Sequence, residues 1–210
     1  MNSSISSNKF ETKNVKNIYE EIAQQFNTKR IYTWSWVDDF INTLQKGSFI
    51  YDIGCGGGRN MQFREHTFIG IDNCEKFIDI CREKNLLVLL SNMTEINLPN
   101  NSADAIICIA AFHHLSSWEN RMKALLEMKR LIKPKTGKIL LSVWSINQPK
   151  KTRVTFHKYG DTIVKWNNKH GRYYYIFQID EIQHLFEKSD LKVLEHKYDC
   201  GNEIFILERM

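Results

Sequence analysis

The chain of 210 residues carries 42% apolar and 25% charged side chains and a net charge of +5. That balance suits one globular domain burying roughly 70% of its unfolded surface without staples. No uncharged apolar run approaches the 18 residues of a membrane-spanning helix, and the opening MNSSISSN lacks the charged-then-apolar order of a secretory signal.

Residues 1–9 are Ser/Asn-rich and are expected to be disordered, leaving 10–210 as a single domain. Val15, Ile18, Tyr19, Ile22 and Phe26 recur at helical spacing. Trp36, Val37, Phe40, Ile41 and Leu44 do the same, with Thr33 placed to cap them. From Phe49 the pattern turns to short apolar runs at 49–53, 67–71, 86–90, 105–109 and 139–144, with helical stretches near 74–84 and 118–132. Uninterrupted apolar strands alternating with helices predict an α/β fold whose parallel sheet is covered on both faces. After a basic, irregular stretch at 147–171 come a strand at 172–177, a helix at 179–188, and strands at 191–198 and 203–208. The Asp199–Asn202 turn predicts an antiparallel hairpin at the end.

Charge and cysteine placement narrow the partners. Between Arg121 and Arg172 stand 14 Lys/Arg and two acids, a segment of +12, so the remainder carries −7. A basic half suits a polyanion, although a solvated face reads equally well from charge alone. Cys55, Cys74, Cys81, Cys108 and Cys200 form no C-x-x-C pair, which argues against a disulfide framework or a zinc cage and for a reducing compartment, the cytoplasm or the nucleus. No metal site is expected.

The segment Asp52-Ile53-Gly54-Cys55-Gly56-Gly57-Gly58 closes the first strand and is expected to open a helix. It fits neither G-x-G-x-x-G, because Arg59 takes the last glycine's place, nor a P-loop. Asp52 would repel a pyrophosphate but attract an ammonium. Asp72, 18 residues after Gly54, ends the next strand where an acid accepts ribose hydroxyls. Asn73 adjoins it, Asn92 and Met93 follow the third strand and could frame an adenine, and Ile109 ends the fourth. Ammonium, ribose and adenine together describe S-adenosylmethionine.

These motifs resemble those of the class I S-adenosylmethionine-dependent methyltransferases. More narrowly, VKNIYEEIAQQFNTKRIYTW, YDIGCGGGRN, the His113-His114 pair before an Arg-containing helix, and GDTIVKWNNKHGRYYYIF resemble the tRNA wobble-uridine carboxymethyl methyltransferases, including the methyltransferase domain of the AlkB-homologue tRNA hydroxylase. The resemblance implies a Rossmann-like, mostly parallel seven-stranded sheet with an antiparallel C-terminal hairpin. It also implies methyl esterification of 5-carboxymethyluridine in tRNA, and a small zinc-binding activator subunit as partner. Asn92 departs from the family's usual Asp, and Lys165 from its usual Pro.

An ionised carboxylate acceptor needs no general base, so the protein's task is positioning and water exclusion. Arg30, His113, His114, Arg121 and Trp144 are the candidate catalytic residues, Arg30 also being the leading carboxylate binder for substrate or cofactor. Tyr19, Lys151, Arg153, Trp166, Arg172, Tyr173 and Tyr175 are the candidate substrate and RNA contacts, through stacking and phosphate pairing. Two alternatives share the cofactor half: a quinone- or lipid-type methyltransferase, and a catalytically silent RNA-binding scaffold.

Overall fold

The computed structural model describes residues 2–29, 32–63, 65–152 and 154–210. In chain order its elements begin with α1 (Asn2–Glu11), a π-helical turn (Thr12–Lys16), α2 (Asn17–Lys29) and α3 (Ser35–Asn42). The first strands and their helices are β1 (Phe49–Ile53), β2 (Thr67–Asp72), α4 (Glu75–Glu83), β3 (Val88–Leu90), β4 (Ala105–Ile109), α5 (Trp118–Leu131) and β5 (Lys138–Trp144). The chain finishes with β6 (Gly160–Trp166), β7 (His170–Ile176), α6 (Ile179–Lys188), β8 (Leu191–Asp199) and β9 (Asn202–Arg209).

Seven strands form one sheet in the order β3-β2-β1-β4-β5-β9-β8. The first five run parallel, and β9 pairs antiparallel with both β5 and β8. Alternation along each strand splits the core in two. Tyr51, Ile53, Ile106 and Leu141 pack with α5 and α6 on one face, while Ile50, Ile107 and Leu140 pack against Trp36, Val37, Phe40 and Ile41 of α3 on the other. No helix among the described residues is long and apolar enough to cross a membrane.

Several expectations change. The 1–9 stretch is helical from Asn2, because tertiary contacts override its weak local pattern. Phe10 meets Tyr173 edge-on, and Glu11 accepts bonds from Ser116 and Asn120. Thr33 does not cap α3: Trp34 holds that position, and the Thr33 hydroxyl donates instead to Asp38. No helix follows the glycine loop, because Gly54, Gly56 and Gly58 all take positive φ and the described part of 54–66 stays in turns until β2.

The apolar 86–90 run yields only a three-residue edge strand, with Leu87 and Leu90 exposed. The irregular 147–171 stretch contains β6, which pairs with β7 as a separate two-stranded ribbon. The +12 segment does not form one face. Lys129, Arg130 and Lys133 pair with Asp190, Glu127 and Asp104 near the start of β5, while Lys150, Lys151, Lys158, Lys165 and Lys169 are exposed near its far end and on the ribbon.

Candidate active site

The ends of β1, β2, β3, β4 and β5 open onto a cleft. It lies where the strand order reverses between β1 and β4, the usual ligand crevice of an open parallel sheet. Gly54, Cys55, Gly56, Asp72, Asn73, Asn92, Met93 and Ile109 all line it, as the sequence suggests. Gly54 is required by sterics as well as by its φ of +76°, since a Cβ there would collide with the Ala111 side chain, whereas a Cβ on Gly56 would stand in open space.

Asp72 stitches this wall together. Its Oδ2 accepts from Gly56 N–H and its Oδ1 from Cys74 N–H, each at 2.9 Å. Burial raises its pKa, and those backbone donors pull it back. Two lone-pair positions remain for hydroxyl donors. Asn92 uses its carbonyl on Thr94 N–H at 3.1 Å and the Thr94 hydroxyl at 3.0 Å. That leaves its amide donor for a ligand, where a carboxylate would offer only acceptors.

Asp52 does not line the cleft. It is fully buried behind Asn60, whose Nδ2 donates to it at 3.5 Å, and burial pushes its pKa up to about 7, with Arg59 and Asn60 opposing and Asp72 assisting. Asp52 Oδ1 and Asn60 Oδ1 are both buried without hydrogen-bond partners among the described residues. Two orphaned acceptors beside a glycine-lined wall fit a cationic amino-acid group. Asn60 lines the cleft in front of Asp52, so its side chain would meet the ammonium end of S-adenosylmethionine with the Asp52 charge acting from behind it, while Asp72 would take the ribose and Met93 and Asn92 the adenine. Phe26, Asn27, Trp34 and Asn60 also line the cleft; they lie within the quoted motifs without being among the candidate site residues, and Phe77 lies on α4 outside any motif.

The other half of the cleft is built by α2, the turn after β4, and the ribbon. His114 Nδ1–H donates to the Tyr173 carbonyl at 2.6 Å, which leaves Nε2 as an acceptor for the Tyr19 hydroxyl at 2.9 Å. Tyr19 in turn accepts from Arg172 Nη1 at 3.0 Å. Trp144 lines the cleft with its ring stacked on Tyr174 at 4.7 Å. Burial depresses His114 to a pKa of about 3 and His113 well below its ordinary value. His113 sits behind the cleft, its Nδ1 accepting from Trp144 N–H at 3.0 Å.

Tyr19→Phe is therefore expected to strand two buried groups at once, costing about 1–3 kcal/mol of unfolding free energy. Thermal denaturation checks this, and an unchanged midpoint would show that the three groups are not coupled.

Not every candidate converges. Arg121 is buried away from the cleft, donating to the Leu115 carbonyl at 3.1 Å and lying 3.5 Å over the Tyr175 ring. It fixes the turn that carries the histidines. Tyr173 and Tyr175 point to the ribbon's opposite face, bonded to Asp161 and Glu181 at 2.6 Å each. Period-two alternation brings Arg172 and Tyr174 into the cleft instead, so Tyr174 was legible from strand spacing. Trp166 backs the cleft against Phe26, and Lys151 is exposed in the 3-10 turn Lys150–Thr152. Arg30 and Arg153 lie outside the described residues.

A family model described as "Methyltransferase domain" matches residues 51–141. The tRNA (carboxymethyluridine(34)-5-O)-methyltransferase of Schizosaccharomyces pombe is 30% identical over 95% of this chain and 98% of its own length. The mouse enzyme named tRNA (carboxymethyluridine(34)-5-O)-methyltransferase ALKBH8 is 34% identical over 73% of this chain, which spans only 23% of that longer relative. Among solved structures, a Methanosarcina mazei protein titled a SAM-dependent methyltransferase superposes with a TM-score of 0.69 at 15% identity, covering 82% of this chain and 97% of its own. A Haloferax volcanii putative methyltransferase, solved in complex with the Trm112 methyltransferase activator, gives 0.71 at 14% identity, covering 92% of this chain and 96% of that one. At those identities the likeness speaks for the fold, a class I S-adenosylmethionine-dependent methyltransferase architecture.

Proposed function

The chain belongs to the family of tRNA (carboxymethyluridine(34)-5-O)-methyltransferases, and on that premise we propose that it esterifies the carboxylate of 5-carboxymethyluridine in tRNA, in the cytoplasm or nucleus. The observation that carries this reading is the chemical idleness of the two histidines. Both nitrogens of His114 are already committed, and His113 spends its lone pair on the Trp144 N–H. Burial also holds both rings neutral. Neither can take a proton from an amine or hydroxyl acceptor. A carboxylate arrives ionised and asks for none.

Bound S-adenosylmethionine supplies an electrophilic methyl group on a cationic sulfur. Around it, Asp72 holds the wall of the cleft, and Tyr19, Phe26, Trp144 and Tyr174 exclude water from the space in front of the glycine loop. A dry, aromatic enclosure favours a step in which opposite charges cancel.

RNA contact is assigned to the exposed lysines of the 3-10 turn and the ribbon. Reversing Lys151 and Lys165 to Glu is expected to weaken tRNA binding and to lower the slope of log affinity against log salt by about 2, roughly one unit for each phosphate no longer neutralised. An unaltered slope in a salt titration would move the RNA elsewhere. We also include a small zinc-binding activator subunit in the reading. The half-exposed β3 edge, with Leu87 62% and Leu90 45% exposed, supports an activator, as does the likeness to a putative methyltransferase solved with the Trm112 methyltransferase activator.

The deciding experiment incubates the chain, with and without an activator, with methyl-labelled cofactor and tRNA lacking the terminal ester. Label released by mild alkali supports the proposal, and label that resists saponification refutes a carboxylate acceptor.

A further inference from the structure

Arg172 is 3% exposed, yet no carboxylate among the described residues is paired with it. Its neighbours are aromatic: the rings of Tyr19, Phe26, Trp166 and Tyr174 stand 5.5, 5.9, 5.2 and 5.3 Å from the guanidinium carbon. Their faces offset part of the desolvation of a buried cation but supply no counter-charge. Nη1 is tied to the Tyr19 hydroxyl, whereas Nε is buried with no hydrogen-bond partner. The chain of bonds continues from Tyr19 to His114 and returns through His114 Nδ1–H to the carbonyl of Tyr173, the residue next to Arg172 on β7. This closed circuit, with a further hydrogen bond to the Tyr174 side chain, fixes the plane of the guanidinium and leaves its Nε–H without a partner among the described residues.

Building on the proposed function, we infer that Arg172 is the receptor for the acceptor carboxylate, the residue by which the enzyme selects an acid over its ester or amide. A planar fork with an unused N–H suits a carboxylate, and an Arg held in place by neighbours loses little freedom on binding it. The chemical balance gives the site a second property. A carboxylate oxygen forms the new bond to the methyl carbon, the sulfur keeps the electron pair of the bond that breaks, and no proton moves. The product ester is neutral, so it gives up the ion pair that held the acid. One residue thereby binds substrate and releases product.

The same chemistry occurs at the amino-acid end of the methyl donor, which also carries a carboxylate. The acceptor is favoured because Arg172 faces His114 and Tyr174 on the ribbon side, whereas the orphaned Asp52 and Asn60 oxygens lie on the glycine-loop side.

The test compares full-length protein with its activator on tRNA carrying the wobble acid, ester or amide, and separately on S-adenosylhomocysteine. The wild type should bind the acid about 30-fold better than the ester, the scale of one charge-assisted hydrogen bond. Arg172→Gln should abolish that preference and leave S-adenosylhomocysteine affinity within about twofold. Arg172→Lys, which keeps the charge without the fork, should retain a reduced preference, and it decides the matter if the Gln variant does not fold. An unchanged acid preference in either variant overturns the assignment. Loss of S-adenosylhomocysteine binding with the preference intact overturns it too, assigning Arg172 to the donor's carboxylate. If the wild type neither prefers nor methylates the acid, the functional reading falls as well, a result separable from failure of the Arg172 assignment alone.

Discussion

Replacing Asp72 with alanine is expected to weaken S-adenosylmethionine binding about 100-fold, the equivalent of losing two hydrogen bonds to a charged acceptor at about 1.5 kcal/mol each. The effect has two sources. Asp72 holds Gly56 and Cys74 by their backbone N–H groups, so its loss releases the glycine loop from the end of β2. It also removes the acceptor proposed for the ribose hydroxyls. Asp72→Asn should lose less, since an amide oxygen can still accept one of the two bonds. Isothermal titration with cofactor and with S-adenosylhomocysteine reads both variants, and alanine binding like wild type would remove Asp72 from the cofactor site.

Affinity for the cofactor is also expected to fall as pH drops below about 7, approaching tenfold per unit. Burial lifts Asp52 to about 7, so a cationic ligand binds fully only once that carboxyl has ionised. Asp52→Asn should bind weakly and show no such dependence. Folding stability runs in the opposite sense. A carboxyl raised from 3.8 to about 7 by folding stabilises the native state below pH 3.8, and that advantage disappears as pH rises through 7.

The ionised group then costs on the order of 4 kcal/mol at pH 8. In ligand-free protein, Asp52→Asn is therefore expected to raise the melting temperature at pH 8 by several degrees and by less at pH 5. The new amide can donate one of its two N–H groups to the orphaned Asn60 oxygen while its own oxygen keeps accepting from Asn60 Nδ2, so one added donor is satisfied and one is not. A difference in melting temperature that ignores pH would place the titrating group elsewhere.

The sheet was readable because its signals are local. Ala105–Ile109 is a run of five buried residues and coincides with β4, and the turn at Asp199–Asn202 joins β8 to β9. The glycine loop, Asp72, Asn92 and Met93 were findable for a related reason: parallel strands deliver their following residues to one end of the sheet.

What escaped depends on distance. The helicity of α1 rests on Glu11 reaching Ser116 and Asn120, more than a hundred positions away. β6 alternates exposed and half-buried residues on a ribbon outside the main sheet, so its pattern never looks apolar. The basic segment looked continuous only because sequence does not record that β5 carries the chain from one end of the sheet to the other. Arg121 illustrates the same limit, since its helix turns it toward Glu181 and Tyr175 rather than the cleft.

Helix α2 bridges the glycine-loop side of the cleft and the ribbon. Its Asn27 lies against Gly57 and accepts from Lys84 at 3.0 Å, its Glu20 accepts from the first N–H groups of α4, and its Tyr19 and Lys29 reach Arg172 and Trp166 on the ribbon. The proposed methyl-donor and nucleic-acid sites thus share one wall. If either ligand restrains that helix further, the other meets a surface already set. The two affinities are then linked reciprocally, each ligand raising the other's by the same factor. Exhausted cofactor would also leave more readily once the methylated RNA has let go, which ties the order of departure to the success of the reaction.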